Sequence, residues 1–352
     1  MKLFTPLKIR DLELKNRIVV SPMCEYSAKD GHPQPWHMVH LGSRAVGGAA
    51  LVMTEASAVE SRGRISAADA GIYDDAHVNS WRPIAEFVKS QGAIIGMQLA
   101  HAGRKASTAE PWLGGKPVTI AAGGWEPVAP SAVPYDNGYT TPHALTVSEL
   151  AEVIAAFRKA AQRALAAGFQ VVEIHAAHGY LLHQFLSPLT NKRDDHYGGS
   201  FENRIRLALE VTIAVREVWP ATFPLFCRVS ATDWAEGGWD LPESVELAKR
   251  LKTLGVDLID TSSAGLVPFQ KIAIGAGYQV PFAEAIRKQA GILTGAVGMI
   301  TDAAQADTIL TTGQADLIFL AREFLRDPYW PRRAAQELHT KIEPPVQYQR
   351  AW

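Results

Sequence analysis

Short apolar runs alternate with longer amphipathic stretches along the whole chain of 352 residues. Eight of the runs are rich in aliphatic residues and have few polar positions, which is typical of strands that are covered on both faces. These predicted strands span residues 17–20, 50–54, 93–99, 171–175, 225–230, 258–262, 293–297 and 317–320. The pattern therefore predicts strands that lie in the interior of an α/β protein.

Helical patterns fall between these runs. The clearest covers residues 148–167, because residues 147–150 supply a cap and Gly168 follows as a terminator. Residues 202–218, 243–254 and 303–312 have the same periodicity. Alternation of helices with eight strands implies either a closed barrel or a doubly wound open sheet.

The positions of the polar residues favour the barrel. Strand after strand ends in a residue capable of chemistry: Cys24, Gln98, His175, Arg228, Gly298 and Arg322. A site assembled from many strand ends is typical of a (β/α)8 barrel, whereas a doubly wound sheet concentrates its site at one switch point. No G-x-G-x-x-G follows the first strand. We predict a single (β/α)8 TIM-barrel domain over residues 1–352.

Two segments extend this minimal barrel. Residues 101–146, after the third strand, form a long segment rich in Gly, Pro and Trp, and loops of that length are usually functional. We expect this segment to form a rim of the active site. The tail, residues 343–352, ends in Tyr348-Gln349-Arg350-Ala351-Trp352.

Composition narrows the class of protein. Lys and Arg number 35 and Asp and Glu 36, so the net charge of -1 gives no electrostatic reason to expect nucleic acid. No run of eighteen apolar residues predicts a membrane span, and the first residues lack an apolar signal core. The two cysteines, Cys24 and Cys227, form no disulfide framework. We expect a cytoplasmic protein that binds neither membrane nor nucleic acid.

The segment His175-Ala176-Ala177-His178-Gly179-Tyr180 places two imidazoles and a phenol directly after the fourth strand. Neutral imidazoles can polarise a carbonyl by donating hydrogen bonds to its oxygen, and a phenol can deliver a proton. Two other readings are packing residues in the core and a zinc site that includes His183. The spacing is not H-E-x-x-H and the segment holds no carboxylate, which disfavours zinc.

Cys24 and Arg228 are further candidates. The Cys24 thiol could be a nucleophile, a group that tunes a redox potential, or an inert packing group. Arg228 alternates with its neighbours onto the interior face of the fifth strand, where a guanidinium needs an anionic partner. That partner is either a carboxylate, such as Glu173 or Asp260, or an anionic group such as a reduced flavin.

The last two strands indicate a phosphate site. Small residues from Thr294 to Gly298 follow the seventh strand, and Ala321-Arg322 follows the eighth. Small residues let backbone N–H groups approach an anion, and the loops after strands seven and eight form the usual phosphate site of such barrels. This pattern predicts a phosphorylated cofactor or substrate.

Together these motifs resemble the Old Yellow Enzyme family of FMN-dependent oxidoreductases, and in particular its bacterial thermophilic-like branch. Similarity extends from Phe4 to Trp352. The matching motifs are Ser21-Pro22-Met23-Cys24, Glu55-Ala56-Ser57-Ala58, Gln98 through Lys105, His175 through Tyr180, Asn191-Lys192-Arg193 with Tyr197 through Ser200, and Gly295 through Gly298.

The resemblance implies roles at matching positions. FMN would be held by Ser21, Pro22, Met23, Cys24, Ala56, Gln98, Arg228, Gly298, Ala321 and Arg322. Cys24 would tune the flavin potential. Tyr26, His175 and His178 would bind substrate, and Tyr180 would donate the proton. NADPH or NADH would reduce the flavin, which would then reduce an α,β-unsaturated carbonyl or a nitro compound in a ping-pong reaction.

The resemblance also implies an oligomer. In this branch an arginine of the C-terminal tail enters the neighbouring subunit's site, and Arg350 occupies the matching position. A homodimer or a dimer-built tetramer is therefore expected, with no metal. Three features depart from the family pattern: Ala321 replaces a common glycine, Glu25 replaces an apolar residue, and the loop 111–142 is longer.

Other classes of protein would require other residues in the sequence. A barrel lyase or aldolase needs a Schiff-base lysine at a strand end, and none of the eight runs carries one. A metal hydrolase would contain zinc. A non-catalytic binding module that retained only the fold would not be expected to retain polar residues at the strand ends. The iron–sulfur 2,4-dienoyl-CoA reductase type needs a cysteine cluster and a further domain.

Overall fold

The computed structural model describes all 352 residues, and eight parallel strands close into a barrel. The strands are β1 (Ile18–Val20), β2 (Leu51–Ala58), β3 (Ile94–Ala100), β4 (Val171–Ala176), β5 (Leu225–Ser230), β6 (Leu258–Ser262), β7 (Leu293–Ala296) and β8 (Leu317–Leu320). Each strand pairs with the next, and β8 pairs with β1. The predicted (β/α)8 fold is confirmed.

Ten helices accompany the barrel. They are α1 (Pro35–Val46), α2 (Ala76–Ser90), α3 (Val147–Ala166), α4 (Leu181–Leu186), α5 (Phe201–Val218), α6 (Leu241–Thr253), α7 (Val280–Ala290), α8 (Ala303–Thr311), α9 (Arg322–Arg326) and α10 (Trp330–Glu337). The four predicted helices lie within two residues of α3, α5, α6 and α8. The cap of α3 begins one residue earlier than predicted, because the Thr146 hydroxyl accepts from the Glu149 amide.

The sequence pattern did not reveal α1, α2 or α7. The buried face of α1 carries His37, His40 and Arg44, so its apolar period is hidden by polar residues. Helix α2 contains Pro83, which is uncommon within a helix. The buried residues of α2, Val78, Trp81, Ile84 and Val88, nevertheless recur at helical spacing, so the apolar pattern was present and was not recognised.

The barrel interior has two layers. Near the amino-terminal ends of the strands, side chains such as Val171, Phe226 and Leu258 form an apolar layer, and the hairpin Leu7–Ile9 with Leu12–Leu14 packs against it. Two residues further along β3, β4, β5 and β6 the interior becomes polar. This second layer contains Gln98, Glu173, Arg228 and Asp260, all buried. The alternation of side chains along each strand thus places a polar layer directly beneath the carboxyl-terminal mouth.

The segment 101–146 is structured. It contains 3-10 turns at Gly103–Lys105, Pro111–Leu113 and Ile120–Ala122, and a parallel pair formed by Val128–Ala129 and His143–Ala144. No helix of the chain is both long enough and apolar enough to span a membrane.

Candidate active site

The polar layer contains one buried ion pair. Arg228 Nε lies 3.0 Å from Asp260 Oδ2, and the two side chains are 6% and 0% exposed. Neither group forms an aligned hydrogen bond, so their contact is electrostatic. The carboxylate predicted as one partner of Arg228 is therefore Asp260. Glu173, the other candidate, accepts a hydrogen bond from Gln98 Nε2 at 2.8 Å.

Both carboxyl groups of this layer are harder to ionise than in water. Burial raises the pKa of Glu173, and the nearby Asp260 carboxylate adds to the shift. Burial also raises the pKa of Asp260, and the Arg228 charge opposes this shift. Because only Asp260 contacts the guanidinium, the Arg228 charge favours ionisation of Asp260 over that of Glu173.

Above this layer, β4 and the turn after it bring two imidazoles and a phenol together. The ring centroid of His175 lies 5.1 Å from those of both His178 and Tyr180, and both pairs meet edge to face. Burial and the Arg228 charge keep the pKa of each histidine well below its ordinary value, so both rings are neutral. The three side chains can therefore supply two neutral hydrogen-bond donors and one acid at the same point.

His183, considered above as a zinc ligand, has both ring nitrogens occupied. Nε2 lies 2.8 Å from Asp233 Oδ1, and Nδ1 accepts the Gly179 N–H at 2.9 Å. No group of three His, Cys, Asp or Glu side chains in the chain is arranged to hold a metal ion. The role of His183 is to hold the turn that carries His178 and Tyr180.

Lys105 holds the same turn from the opposite side. Its Nζ donates to the carbonyls of His178 and Gly265 at 2.9 and 3.0 Å, and lies 5.0 Å from the Tyr180 ring centroid. Burial lowers the pKa of Lys105 to about 8. Both carbonyls engage the amine, which opposes a Schiff-base role. The sequence analysis considered His183 only as a zinc ligand and gave Lys105 no role, although Lys105 ends one of the matching motifs.

Gly179 is the tightest point of this turn. Its φ is +73°, and a Cβ there would lie 2.1 Å from the Gly265 carbonyl oxygen. We expect Gly179→Ala to displace His178 and Tyr180 and to lower both stability and activity. Gly199 is the matched control, since its φ is +80° but a Cβ would meet nothing within 4 Å. Gly199→Ala should lower the free energy of unfolding only by the cost of placing a side chain in the left-handed conformation, about 1–2 kcal/mol, and should keep its activity.

Thermal unfolding and the rate of substrate reduction, measured on both variants, check this expectation. Equal effects of the two substitutions would contradict the steric argument at Gly179.

A small apolar wall at the mouth includes Tyr180. Cys24, Tyr26, Trp125 and Tyr180 pack against Ile65, Ala102 and Ala106. Burial, with the Asp69 and Glu55 carboxylates, raises the pKa of the Cys24 thiol well above its ordinary value. A thiol held in its protonated form is not the activated thiolate that a cysteine hydrolase requires.

Helix α1 fixes the segment that contains Cys24. Glu25 accepts from Trp36 Nε1 at 2.7 Å and contacts His40 Nε2 at 3.3 Å. The Glu25 amide donates to Glu55, which also pairs with His37 at 2.8 Å. Two carboxylates and two histidines thus attach the loop after β1 to α1, which gives the unusual Glu25 a structural role.

The ends of β7 and β8 enclose a cavity of about 240 Å³, lined in part by Ser262, Gln279, Gly298, Ala321 and Arg322. Gly298 has a φ of +118°, and a Cβ there would lie 2.9 Å from Gln279 Nε2. Ala321 has a φ of -105°, outside the left-handed region that favours glycine. The exposed Arg322 provides a positive charge at the edge of a cavity with room for an anion.

The predicted site residues that follow the barrel strands therefore converge on the carboxyl-terminal face. Arg350 does not join them within this chain. It lies in the exposed tail, where Trp352 packs against Tyr329 with a centroid distance of 6.2 Å.

Comparison with known proteins identifies the family. The profile of the NADH:flavin oxidoreductase / NADH oxidase family matches residues 2–341. A NADPH dehydrogenase of Bacillus licheniformis is 53% identical, with alignment over 100% of this chain and 99% of that protein.

Two solved structures share the fold. Morphinone reductase in complex with tetrahydroNAD superposes with a TM-score of 0.80 and 30% identity, covering 97% of this chain and 92% of that one. The Old Yellow Enzyme homologue from Zymomonas mobilis superposes with a TM-score of 0.81 and 29% identity, covering 99% of this chain and 96% of that one.

A barrel with this polar mouth and phosphate-sized cavity, together with the family profile, places the chain in the NADH:flavin oxidoreductase / NADH oxidase family. Within that family it is an FMN-dependent NADPH oxidoreductase of the Old Yellow Enzyme type.

Proposed function

We propose that this enzyme reduces the activated C=C bond of α,β-unsaturated carbonyl compounds, and also reduces nitro compounds, in a ping-pong reaction. The observation that carries the proposal is the cluster of His175, His178 and Tyr180, with centroids 5.1 Å apart, at the mouth of the barrel. Two neutral donors and a phenol suit a substrate that gains negative charge on oxygen and a proton on carbon.

The chain's unsatisfied polar groups fit FMN. Arg228 forms no aligned hydrogen bond through Nε, and Ser21 Oγ is buried without a partner, so both can serve the isoalloxazine. The cavity beside Gly298, Ala321 and Arg322 suits the phosphate. Bound FMN would accept hydride from NADPH and pass it to the β-carbon of the substrate. The remaining contacts would come from Pro22, Met23, Cys24, Ala56 and Gln98.

Tyr180 is suited to act as the acid. Burial raises the pKa of its phenol well above the ordinary value, with smaller contributions from Cys24 and Tyr26. The phenol is therefore fully protonated at neutral pH and can donate to the α-carbon. His175 and His178 would hold the substrate oxygen, while Tyr26, in the same apolar wall as Tyr180, would line the pocket.

Isotopic labelling tests this route. With NADPH deuterated at C4 on the transferred face, we expect deuterium at the β-carbon of reduced cyclohex-2-enone. With unlabelled NADPH in D₂O, deuterium should appear at the α-carbon. Solvent deuterium at the β-carbon, or no reduction of the enone, would oppose the proposal.

The segment 101–146 would act as a substrate rim. Trp112, on its second 3-10 turn, meets Tyr26 edge to face with a centroid distance of 5.9 Å. Trp125 donates through Nε1 to the Arg62 carbonyl at 2.8 Å and belongs to the apolar wall. These contacts support a role in shaping the entrance within one barrel domain.

The tail would complete a neighbouring subunit. Val346 is 73% exposed and Tyr348 is 42% exposed, although both are apolar or aromatic. A second copy of this chain could bury them, and Arg350 would then enter that copy's site. The assembly would be a homodimer or a dimer-built tetramer, and we place it in the cytoplasm.

Arg350→Ala should raise the KM for an enone about tenfold, as expected for a lost charge-assisted hydrogen bond. Arg158→Ala is the control, because this substitution removes the same charge at a different place. Arg158 forms a surface ion pair with Glu217 at 3.4 Å. Steady-state kinetics compare the two variants. Equal KM values for Arg350→Ala and the parent enzyme would remove the tail from the site.

A further inference from the structure

Ser262, the last residue of β6, contacts one of the two histidines in the site. Its Oγ lies 2.7 Å from His178 Nε2. We infer that Ser262 is a positioning residue that fixes the tautomer of His178 with its hydrogen on Nδ1, so that Nδ1–H is the donor to the substrate oxygen. This inference rests on the proposed function, because it names the donor atom in that reaction.

A neutral imidazole carries one N–H and one bare nitrogen, so only one of its two nitrogens can donate. The hydrogen bond made by one nitrogen decides which nitrogen carries the hydrogen. If the Ser262 hydroxyl donates to Nε2, the hydrogen lies on Nδ1. If Nε2 donates to Ser262, Nδ1 is bare and would repel an oxygen that is gaining negative charge.

The distances around Gln279 favour the first of these arrangements. Its Nε2 donates to the Val297 carbonyl at 3.0 Å, so its Oε1 must face the two serines. Ser263 Oγ donates to this oxygen at 2.6 Å, whereas Ser262 Oγ lies 3.5 Å away, at the limit of hydrogen bonding. The Ser262 hydroxyl therefore has its nearer acceptor in His178 Nε2.

The backbone holds the imidazole against Ser262. The His178 amide donates to Ser230 Oγ at 2.9 Å, and the His178 carbonyl accepts from Lys105 Nζ at 2.9 Å. Ser230 Oγ in turn donates to the Ala264 carbonyl at 2.9 Å. The end of β5 and the loops after β3 and β6 thus fix the backbone of His178 on both sides, which keeps its side chain within reach of Ser262.

The two histidines differ in whether a protein group fixes the tautomer of the ring. The Nδ1 atom of His175 is buried without a partner, so no protein group sets its tautomer. His178 has a defined acceptor nitrogen and a defined donor nitrogen before any ligand arrives. A donor oriented in advance needs no rearrangement when charge develops on the substrate, which is the property that makes such donors effective.

The tautomer can be observed directly. Long-range ¹H–¹⁵N spectra of the FMN-loaded enzyme, labelled at histidine and assigned with His178→Gln, distinguish a protonated Nδ1 from a protonated Nε2. We expect Nδ1 to be protonated in the parent and in Ser262→Thr, which keeps the hydroxyl. Ser262→Ala should shift His178 toward the other tautomer or a mixture. Ser263→Ala, which removes the neighbouring hydroxyl from Gln279, should leave the His178 signals unchanged.

Ligand affinity gives a second measurement. The phenolate of 4-hydroxybenzaldehyde presents an oxyanion but has no activated C=C bond, so its binding reports the donors without turnover. Its Kd should rise about tenfold in Ser262→Ala and recover in Ser262→Thr. A protonated Nε2 on His178 in the parent enzyme, or a Kd unaffected by Ser262→Ala, would overturn the inference. Neither measurement depends on reduction of an enone, so failure of the proposed reaction would be seen separately.

Discussion

Tyr180→Phe is expected to slow enone reduction by about 100- to 10,000-fold while reduction of the flavin by NADPH continues at the parent rate. The phenol supplies the proton for the α-carbon, and phenylalanine has none to give. The ring remains, so its edge contact with His175 and its place in the apolar wall are retained. The loss should therefore fall on one half-reaction alone.

Stopped-flow absorbance separates the two half-reactions. Tyr139→Phe is the matched control, because it removes the same hydroxyl from the rim loop, where Tyr139 packs against Tyr135 with centroids 5.1 Å apart. We expect this control to behave as the parent enzyme. Equal slowing of both half-reactions by Tyr180→Phe would show a structural role for the phenol and would reject it as the proton donor.

Arg228→Met is expected to have the second large effect. It should lower the free energy of unfolding and also slow reduction of the flavin by NADPH. Removing one partner of a buried ion pair typically lowers the free energy of unfolding by about 3–5 kcal/mol. Without the guanidinium, burial alone acts on Asp260, so its carboxyl keeps a raised pKa in the folded state. A raised folded pKa stabilises the protein below the unfolded value and loses that stability as pH rises. The defect should thus be larger at pH 8 than at pH 5.

The double variant Arg228→Met with Asp260→Asn separates stability from chemistry. Neutralising Asp260 removes the unpaired charge, so the double variant should unfold close to the parent in urea. It should still show a slower reduction by NADPH, because Arg228 is proposed to stabilise the negative charge of the reduced flavin. Parent-like flavin reduction in the double variant would confine Arg228 to a structural role.

The sequence predicted the barrel because its strands are continuous apolar runs whose ends carry polar residues. It also located His175, His178 and Tyr180, since a strand end fixes their neighbourhood. It did not reveal that Asp260, rather than Glu173, contacts Arg228, because that difference depends on distances across three strands. Ser262 was overlooked since a serine at a strand end is chemically unremarkable until His178 lies 2.7 Å away.

The contacts that hold the turn at His178 and Gly179 were also not visible in the sequence, because they join residues far apart along the chain. Lys105 and His183 are separated by 78 positions, yet both act on the two residues His178 and Gly179. Local patterns cannot show such a convergence. The polar buried face of α1 is a similar case, because Glu55 and the Phe324 carbonyl, both outside the helix, hold His37 and Arg44.

The most direct test of the account is the visible spectrum of the purified protein, recorded without oxygen through one catalytic cycle. We expect flavin absorption that bleaches when NADPH is added and returns when cyclohex-2-enone follows. A spectrum that bleaches but does not return would contradict the proposed reaction while leaving the FMN-dependent oxidoreductase in place. A colourless protein that also fails to bind added FMN would contradict the assignment of the barrel mouth as a flavin site.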